Sequence, residues 1–195
     1  MRAFGFFSIA VAAASFFVPT VLAAAAPAPA PEPALVQVSA RATPQDVVSI
    51  LNNMNTNLQP HVNALNSLNP LTATQDVVNE ILEAYREVID DTAGQVIALG
   101  KLTGFPPIIQ IATILGNTVI TLCNTLVFVA SQLSDTTFLL VGITFSGLST
   151  ALVGLIRGLY DIIDGLEDAV VPLVTSFFPV LNQFGLGDVA TSLSS

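Results

Sequence analysis

Charge is scarce in this sequence. Only 10% of its 195 residues are Asp, Glu, Lys or Arg, against about a quarter in a typical soluble domain. Five are basic and 14 acidic, a net charge of −9. This balance excludes attraction to nucleic acid or to anionic lipid by charge. Tryptophan is absent, and cysteine and histidine occur once each, as Cys123 and His61. A lone cysteine cannot close an intrachain disulfide, so a hydrophobin-type framework is excluded and the fold must stand on burial alone. An intermolecular bridge stays open to Cys123, but Leu122 and Leu126 beside it favour a buried, inert thiol.

The same scarcity limits chemistry. One His and one Cys do not make a zinc site of the usual ligand type. His61 has no nucleophile or orienting acid in a recognisable set around it, and it follows Pro60 beside an apolar stripe. It reads as a part-buried structural residue. Asp161, Asp164, Glu167 and Asp168 share a face, but the liganding loop of a calcium-binding hand is absent, so they read as a solvated surface. Glu80, Glu83 and Glu87 read likewise, with Arg86 adjacent, and Arg157 is spaced to pair with Asp161. No Asn-x-Ser/Thr acceptor occurs. The expectation is a non-enzymatic protein with no cofactor and no metal.

What the sequence has is apolar surface and order in its arrangement. Arg2, the apolar run Phe4 to Leu22 and the small residues Ala23 to Ala26 have the three-part layout of a secretory signal peptide, assigned to 1–25. Cleavage after one of Ala23 to Ala25 leaves about 170 residues, enough for one domain with a core. Residues 26–42 form a Pro/Ala-rich linker, extended and solvated. The mature chain is expected outside the cell, secreted or in a cell wall.

Residues 43–185 are expected to fold as an all-α, up-down bundle of four to five helices, consecutive helices lying antiparallel and side by side. Thr43-Pro44-Gln45-Asp46 opens the first, with Thr as cap and Pro at the first helical position. Its inner stripe is Val47, Leu51, Met54, Leu58, Val62, Leu65 and Leu68, its outer face is rich in asparagine, and Pro60 should kink or split it. Thr72 to Gln75 matches a capping box for the second helix. Its inner stripe is Val78, Ile81, Tyr85, Val88, Thr92, Val96 and Leu99, and Gly104-Phe-Pro-Pro is its stop. Gln-Asp-Val-Val recurs at 45–48 and 75–78, two similar helix openings.

Within 43–185, the segment 43–101 is polar-faced, whereas 102–168 is an apolar helical hairpin. Residues 102–134 carry no charge, and after Asp135 neither do 136–156. The hairpin's first helix, about 107–133, has one uncharged polar stripe: Gln110, Thr113, Asn117, Thr121, Asn124, Ser131 and Gln132. The second, about 137–165, carries Gly147, Gly154, Gly158 and Gly165 near one side. Gly154 to Gly158 fits the close-approach GxxxG pattern. A last helix, 169–185, is shaped by Pro172 and Pro179 and ended by Gly185. Residues 186–195 read as a polar tail.

This layout resembles a group of small secreted proteins of basidiomycete fungi, with a signal peptide, a hydrophilic front half and a strongly hydrophobic back half. The resemblance rests on the Ala/Pro linker, the polar 43–101 helices and the 102–156 block, uncharged but for Asp135. It implies a wall or medium protein acting in hyphal attachment and aerial growth, in a role overlapping that of hydrophobins. A looser likeness is to fungal hydrophobic-surface-binding and wall mannoproteins, helical and secreted, some of which hold fatty acids in the bundle core.

Three functions follow as expectations. In the first, apolar helices attach to or coat hydrophobic interfaces, with cell-wall polysaccharide and further copies of the chain as additional partners. Ile108, Ile111, Leu115, Leu122, Leu126, Leu139, Ile143, Leu152 and Leu155 are then the residues that meet the apolar surface or lipid. In the second, the same helices enclose a fatty acid or sterol. In the third, they span a membrane as a hairpin. Phe138 to Ile156 is long enough, but its Ser/Thr and Gly content, the amides of the preceding helix and the absence of a Lys/Arg cluster weaken that reading.

Overall fold

The structure is a computed structural model that describes residues 42–195. The segments expected as a signal peptide, 1–25, and as a linker, 26–42, lie outside the described residues, apart from residue 42. The rest is all-helical. Seven α-helices follow in order: α1 (Pro44–Asn66), α2 (Gln75–Leu99), α3 (Ile108–Gln132), α4 (Asp135–Ile162), α5 (Leu166–Val174), α6 (Phe178–Gln183) and α7 (Gly187–Leu193). A 3-10 turn, Thr175–Phe177, joins α5 to α6.

Local chemistry sets the helix boundaries. At the start of α1 the Asp46 carboxylate accepts from both the Thr43 amide (2.6 Å) and the Thr43 hydroxyl (2.8 Å). Those bonds, the backbone one first, hold the Asp46 pKa below its ordinary value. The cap of α2 is Thr74, two residues later than expected, and its hydroxyl accepts from the Val77 amide. Thr72 is engaged elsewhere. Its hydroxyl accepts from the Asn69 amide, while the Asn69 side chain accepts from the amides of Leu71 and Thr72. The two Gln-Asp-Val-Val segments therefore sit one position out of register, because Pro44 intervenes between cap and glutamine only in α1.

Pro60 does not split α1, which runs unbroken across it. Pro60 is exposed, so water can serve the Thr56 carbonyl that its missing N–H leaves without a helical partner. The expected last helix is instead three pieces. The ring of Pro172 lies inside α5, and Pro179 stands in the first turn of α6. Gly185, at φ 72°, then closes α6 with a Schellman pattern: Leu186 N donates to Leu181 O (2.8 Å) and Gly185 N to Asn182 O (3.2 Å). Residues 186–195 are no polar tail. Asp188, Thr191 and Ser194 give them a polar look, but Val189, Ala190 and Leu193 are buried as one face of α7.

The packing order also differs from the expected one. α2 packs most extensively on α4, and α1 lies against α2 and α3. α3 and α4, consecutive in the chain, barely touch. The expected 102–168 hairpin therefore does not close on itself. α5 packs on α3, α7 packs on α4, and α5–α7 occupy the space between them. The contacts fix direction as well. Asn79 meets Thr144, Arg86 meets Gly147, and Val96 and Ile97 meet Gly158, so α2 and α4 run the same way. Ala42 meets Thr103 and Asn55 meets Thr118, so α1 and α3 do too. The spatial order is α3-α1-α2-α4.

The apolar stripes explain this order. All seven residues expected on the inner stripe of α1 are buried, with Val48 added. On α2 the buried stripe is turned slightly: Leu82, Ile89 and Ala93 are interior, and Ile81, Val88 and Leu99 only half-buried. α3 and α4 each bury a broad apolar face. Such a face needs more cover than a single partner gives. α1 and α2 cover one part and the C-terminal segment the other. Phe184 makes the join at one end, in a cluster with Phe138 and Phe145 of α4 at centroid distances of 5.6–6.0 Å. At the other, the Tyr160 hydroxyl donates to the Leu193 carbonyl (3.2 Å).

Candidate functional site: an apolar end and a neutral groove

Of the nine residues expected to meet an apolar surface or lipid, six are interior. Ile111, Leu115, Leu122, Leu126, Leu152 and Leu155 belong to the core, and Ile108 is half-buried against it. Leu139 and Ile143 are the two that face outward, 77% and 85% exposed. The helical period of α4 places them one turn apart, with Leu140 alongside, also exposed.

This patch is part of one end of the molecule. The shared directions of α1 with α3 and of α2 with α4 bring the C-terminal ends of α1 and α3 together with the N-terminal ends of α2 and α4. Leu71 in the α1–α2 turn, Val77 in the first turn of α2 and Val127 near the end of α3 are also exposed there. The charges at this end are acidic: Asp76, Glu80 and Asp135. The opposite end exposes Ile97, Ile109 and a fully solvated Phe105. An isolated exposed Leu is ordinary, but several at one end are not. The helical period alone could not separate Leu139 and Ile143 from the interior candidates, because α4 is apolar on more than one face.

α3 and α4 are both long and apolar enough to cross a membrane, with mean hydropathies of 1.7 and 2.0 over their most apolar 18-residue windows. About half of each window is buried within the protein, 56% and 50%.

A groove of about 330 Å³ opens between α1 and α3. Asn52, Asn55, Thr56 and Gln59 of α1 face Asn117, Thr118 and Thr121 of α3 across it, with Leu58, Val62 and Tyr85 completing the lining. None of these residues is charged. The Thr118 hydroxyl hydrogen-bonds the Asn55 amide (2.8 Å) and the Ile114 carbonyl (2.9 Å), which ties the walls together. Thr144 and Asn79 make the equivalent tie between α4 and α2 (2.8 Å). Tyr85 is among the largest fully buried side chains, and burial pushes its phenol pKa up. The asparagine-rich face of α1 and the polar stripe of α3 were legible as two surfaces, but their meeting depended on the packing order.

A second groove, of about 240 Å³, lies between α4 and α7 and includes Ser149, Arg157, Asp188 and Ser192. The Ser149 and Ser192 hydroxyls are buried without a hydrogen-bond partner among the described residues. The space is wide enough for water to serve them. Arg157 borders this groove and makes no ion pair with Asp161. The ion pairs among the described residues are those of Arg86, with Glu83 (2.7 Å) and Asp90 (2.5 Å). Asp161, Asp164, Glu167 and Asp168 do not converge. No cluster of His, Cys, Asp and Glu able to hold a metal occurs among the described residues. His61 is half-buried and Cys123 fully buried.

No family model matches this chain, and no curated protein is similar to it in sequence.

Proposed function

We propose that this protein works outside the cell as a surface-active structural protein, attaching to or coating apolar interfaces of a fungal wall or hyphal surface. The observation that carries the reading is the exposed Leu139, Leu140 and Ile143 patch within an uncharged stretch of α4. Removing a fully exposed Leu or Ile side chain from water is worth about 1.5–3 kcal/mol. Leu139 and Ile143 approach that exposure and Leu140 is half exposed; with Leu71, Val77 and Val127 at the same end, they suffice to hold the molecule at an interface without unfolding it. The hydropathy layout of the sequence and its low charge support the same role.

Two other readings have less support. A lipid carrier needs a deep apolar cavity. The larger of the two grooves is shallow and lined chiefly by Asn, Gln and Thr residues, and six of the nine residues first expected to line a lipid site fill the core. A membrane hairpin needs α3 and α4 to face lipid, and in this fold half of each is covered by protein.

The test is adsorption of the purified protein to a Teflon-like surface, with surface tension recorded alongside. The expected result is activity well above that of serum albumin. A variant with Leu139, Leu140 and Ile143 all changed to Ser should adsorb at least tenfold less at an unchanged melting temperature. Activity no greater than that of albumin would end the proposal, and full activity in the triple variant would remove the patch from it.

A further inference from the structure

We propose that the groove between α1 and α3 is a binding site for a neutral saccharide. Its lining determines the chemical class. The ten residues carry no charge, so nothing compensates a phosphate, a carboxylate or an ammonium group. Asn52, Asn55, Gln59 and Asn117 each offer an N–H donor and a carbonyl acceptor, Thr121 offers a hydroxyl that does both, and the Thr56 and Thr118 hydroxyls, which donate within the protein, keep lone pairs to accept. A ligand that satisfies such walls must itself donate and accept at many points without charge. Sugar hydroxyls and N-acetyl groups have that property. A fatty acid leaves the amides unmet and finds no cation for its carboxylate, and an extended peptide finds no free backbone edge on two helices. The volume, about 330 Å³, lies at the small end for ligand sites and suits a short saccharide unit.

One further side chain borders the groove. Tyr85 is only 1% exposed as a residue and lies in the lining, and its phenol oxygen is not among the buried hydroxyls left without a partner, which are those of Ser149 and Ser192. A ligand hydroxyl or an ordered water in the groove is a fitting partner for it. Thr56, also in the lining, carries the backbone carbonyl whose helical partner is removed by Pro60. This inference does not depend on interfacial activity, which is assigned to other residues.

The composition offers a direct probe. The chain has two tyrosines and no tryptophan, so in a Tyr160→Phe background all aromatic fluorescence of note comes from Tyr85. Chitotriose and laminaritriose, neutral oligomers of N-acetylglucosamine and β-1,3-linked glucose, are titrated against the purified protein. Trigalacturonate serves as the anionic control. Binding is read by tyrosine emission and by saturation-transfer NMR on the sugar protons. The expected result is saturable binding of a neutral oligomer at about 1 mM, with no response to trigalacturonate. Tyr85→Phe, read by NMR, and the exposed Asn117→Ala should each weaken it about fivefold to tenfold, with unchanged circular dichroism and melting temperature. Silence from both neutral oligomers at about 20 mM would mean a groove that holds water only, and overturns the proposal. So would equal binding of the anion, or undiminished binding by the two folded variants.

Discussion

Single residues of this protein titrate according to what covers them. Cys123 is fully enclosed, and burial pushes its thiol up from 9.0 to about 11. The neutral thiol is therefore the folded form's preferred state. Between pH 9 and pH 11 the unfolded chain gives up a proton that the folded chain keeps, so stability is complete below pH 9 and declines across that window. Tyr160, raised by burial and then by Glu167 to about 12, extends the decline further into alkali. A melting-temperature series from pH 7 to pH 11 should fall above pH 9, and Cys123→Ala should flatten the early part of the fall. At pH 8 a disulfide reagent should leave the native thiol unmodified and react at once in denaturant. Ser149 and Ser192 pose the converse case, buried hydroxyls without partners. Changing both to Ala removes two unmet groups and should leave the melting temperature equal or higher.

Helices reveal their packing through their glycines. On α4, a Cβ at Gly158 would stand 3.3 Å from Ile97 and 3.6 Å from Val96, and one at Gly147 would stand 3.1 Å from Arg86. At Gly154 it would meet nothing within 4 Å. The close approach of α4 to α2 thus uses Gly147 and Gly158, three turns apart, and the GxxxG spacing of Gly154 with Gly158 is incidental. Gly154→Ala should stabilise the protein by about 0.5–1 kcal/mol, because only helix propensity changes. Gly158→Leu should destabilise it by about 1–3 kcal/mol through overpacking. Chemical denaturation of the two variants separates these outcomes. The stripe of α1 and its cap at Thr43 were legible in the sequence, since each depends on neighbours close along the chain. The break of the last helix at Thr175 and the packing of α2 on α4 were not. The first needed two prolines to act together, and the second needed knowledge of which apolar face meets which. The groove beside Tyr85 was hidden for the same reason, as its walls are 63 residues apart at Asn55 and Thr118.

For the molecule as a whole, net charge opposes crowding at a surface. Two of the three carboxylates around the exposed patch, Asp76 and Glu80, belong to α2, and Asp135 opens α4. Near the sequence pI of about 4.1 the mutual repulsion of adsorbed molecules vanishes. Adsorption should therefore be greater at pH 4 than at pH 7, and added salt at pH 7 should recover part of the difference. Equal coverage at both pH values, measured with a quartz microbalance, would count against charge as the limiting factor.

The wedge formed by α5, α6 and α7 bears on how the chain is made. During synthesis α3 and α4 emerge before the C-terminal residues that will cover them, and they barely touch each other meanwhile. Until α5 arrives one side of α3 is bare, and until α7 arrives with Val189 and Leu193 one side of α4 is bare. A folding helper that shields greasy segments would be needed most in that interval, and a chain halted short of residue 187 should clump rather than be released into solution.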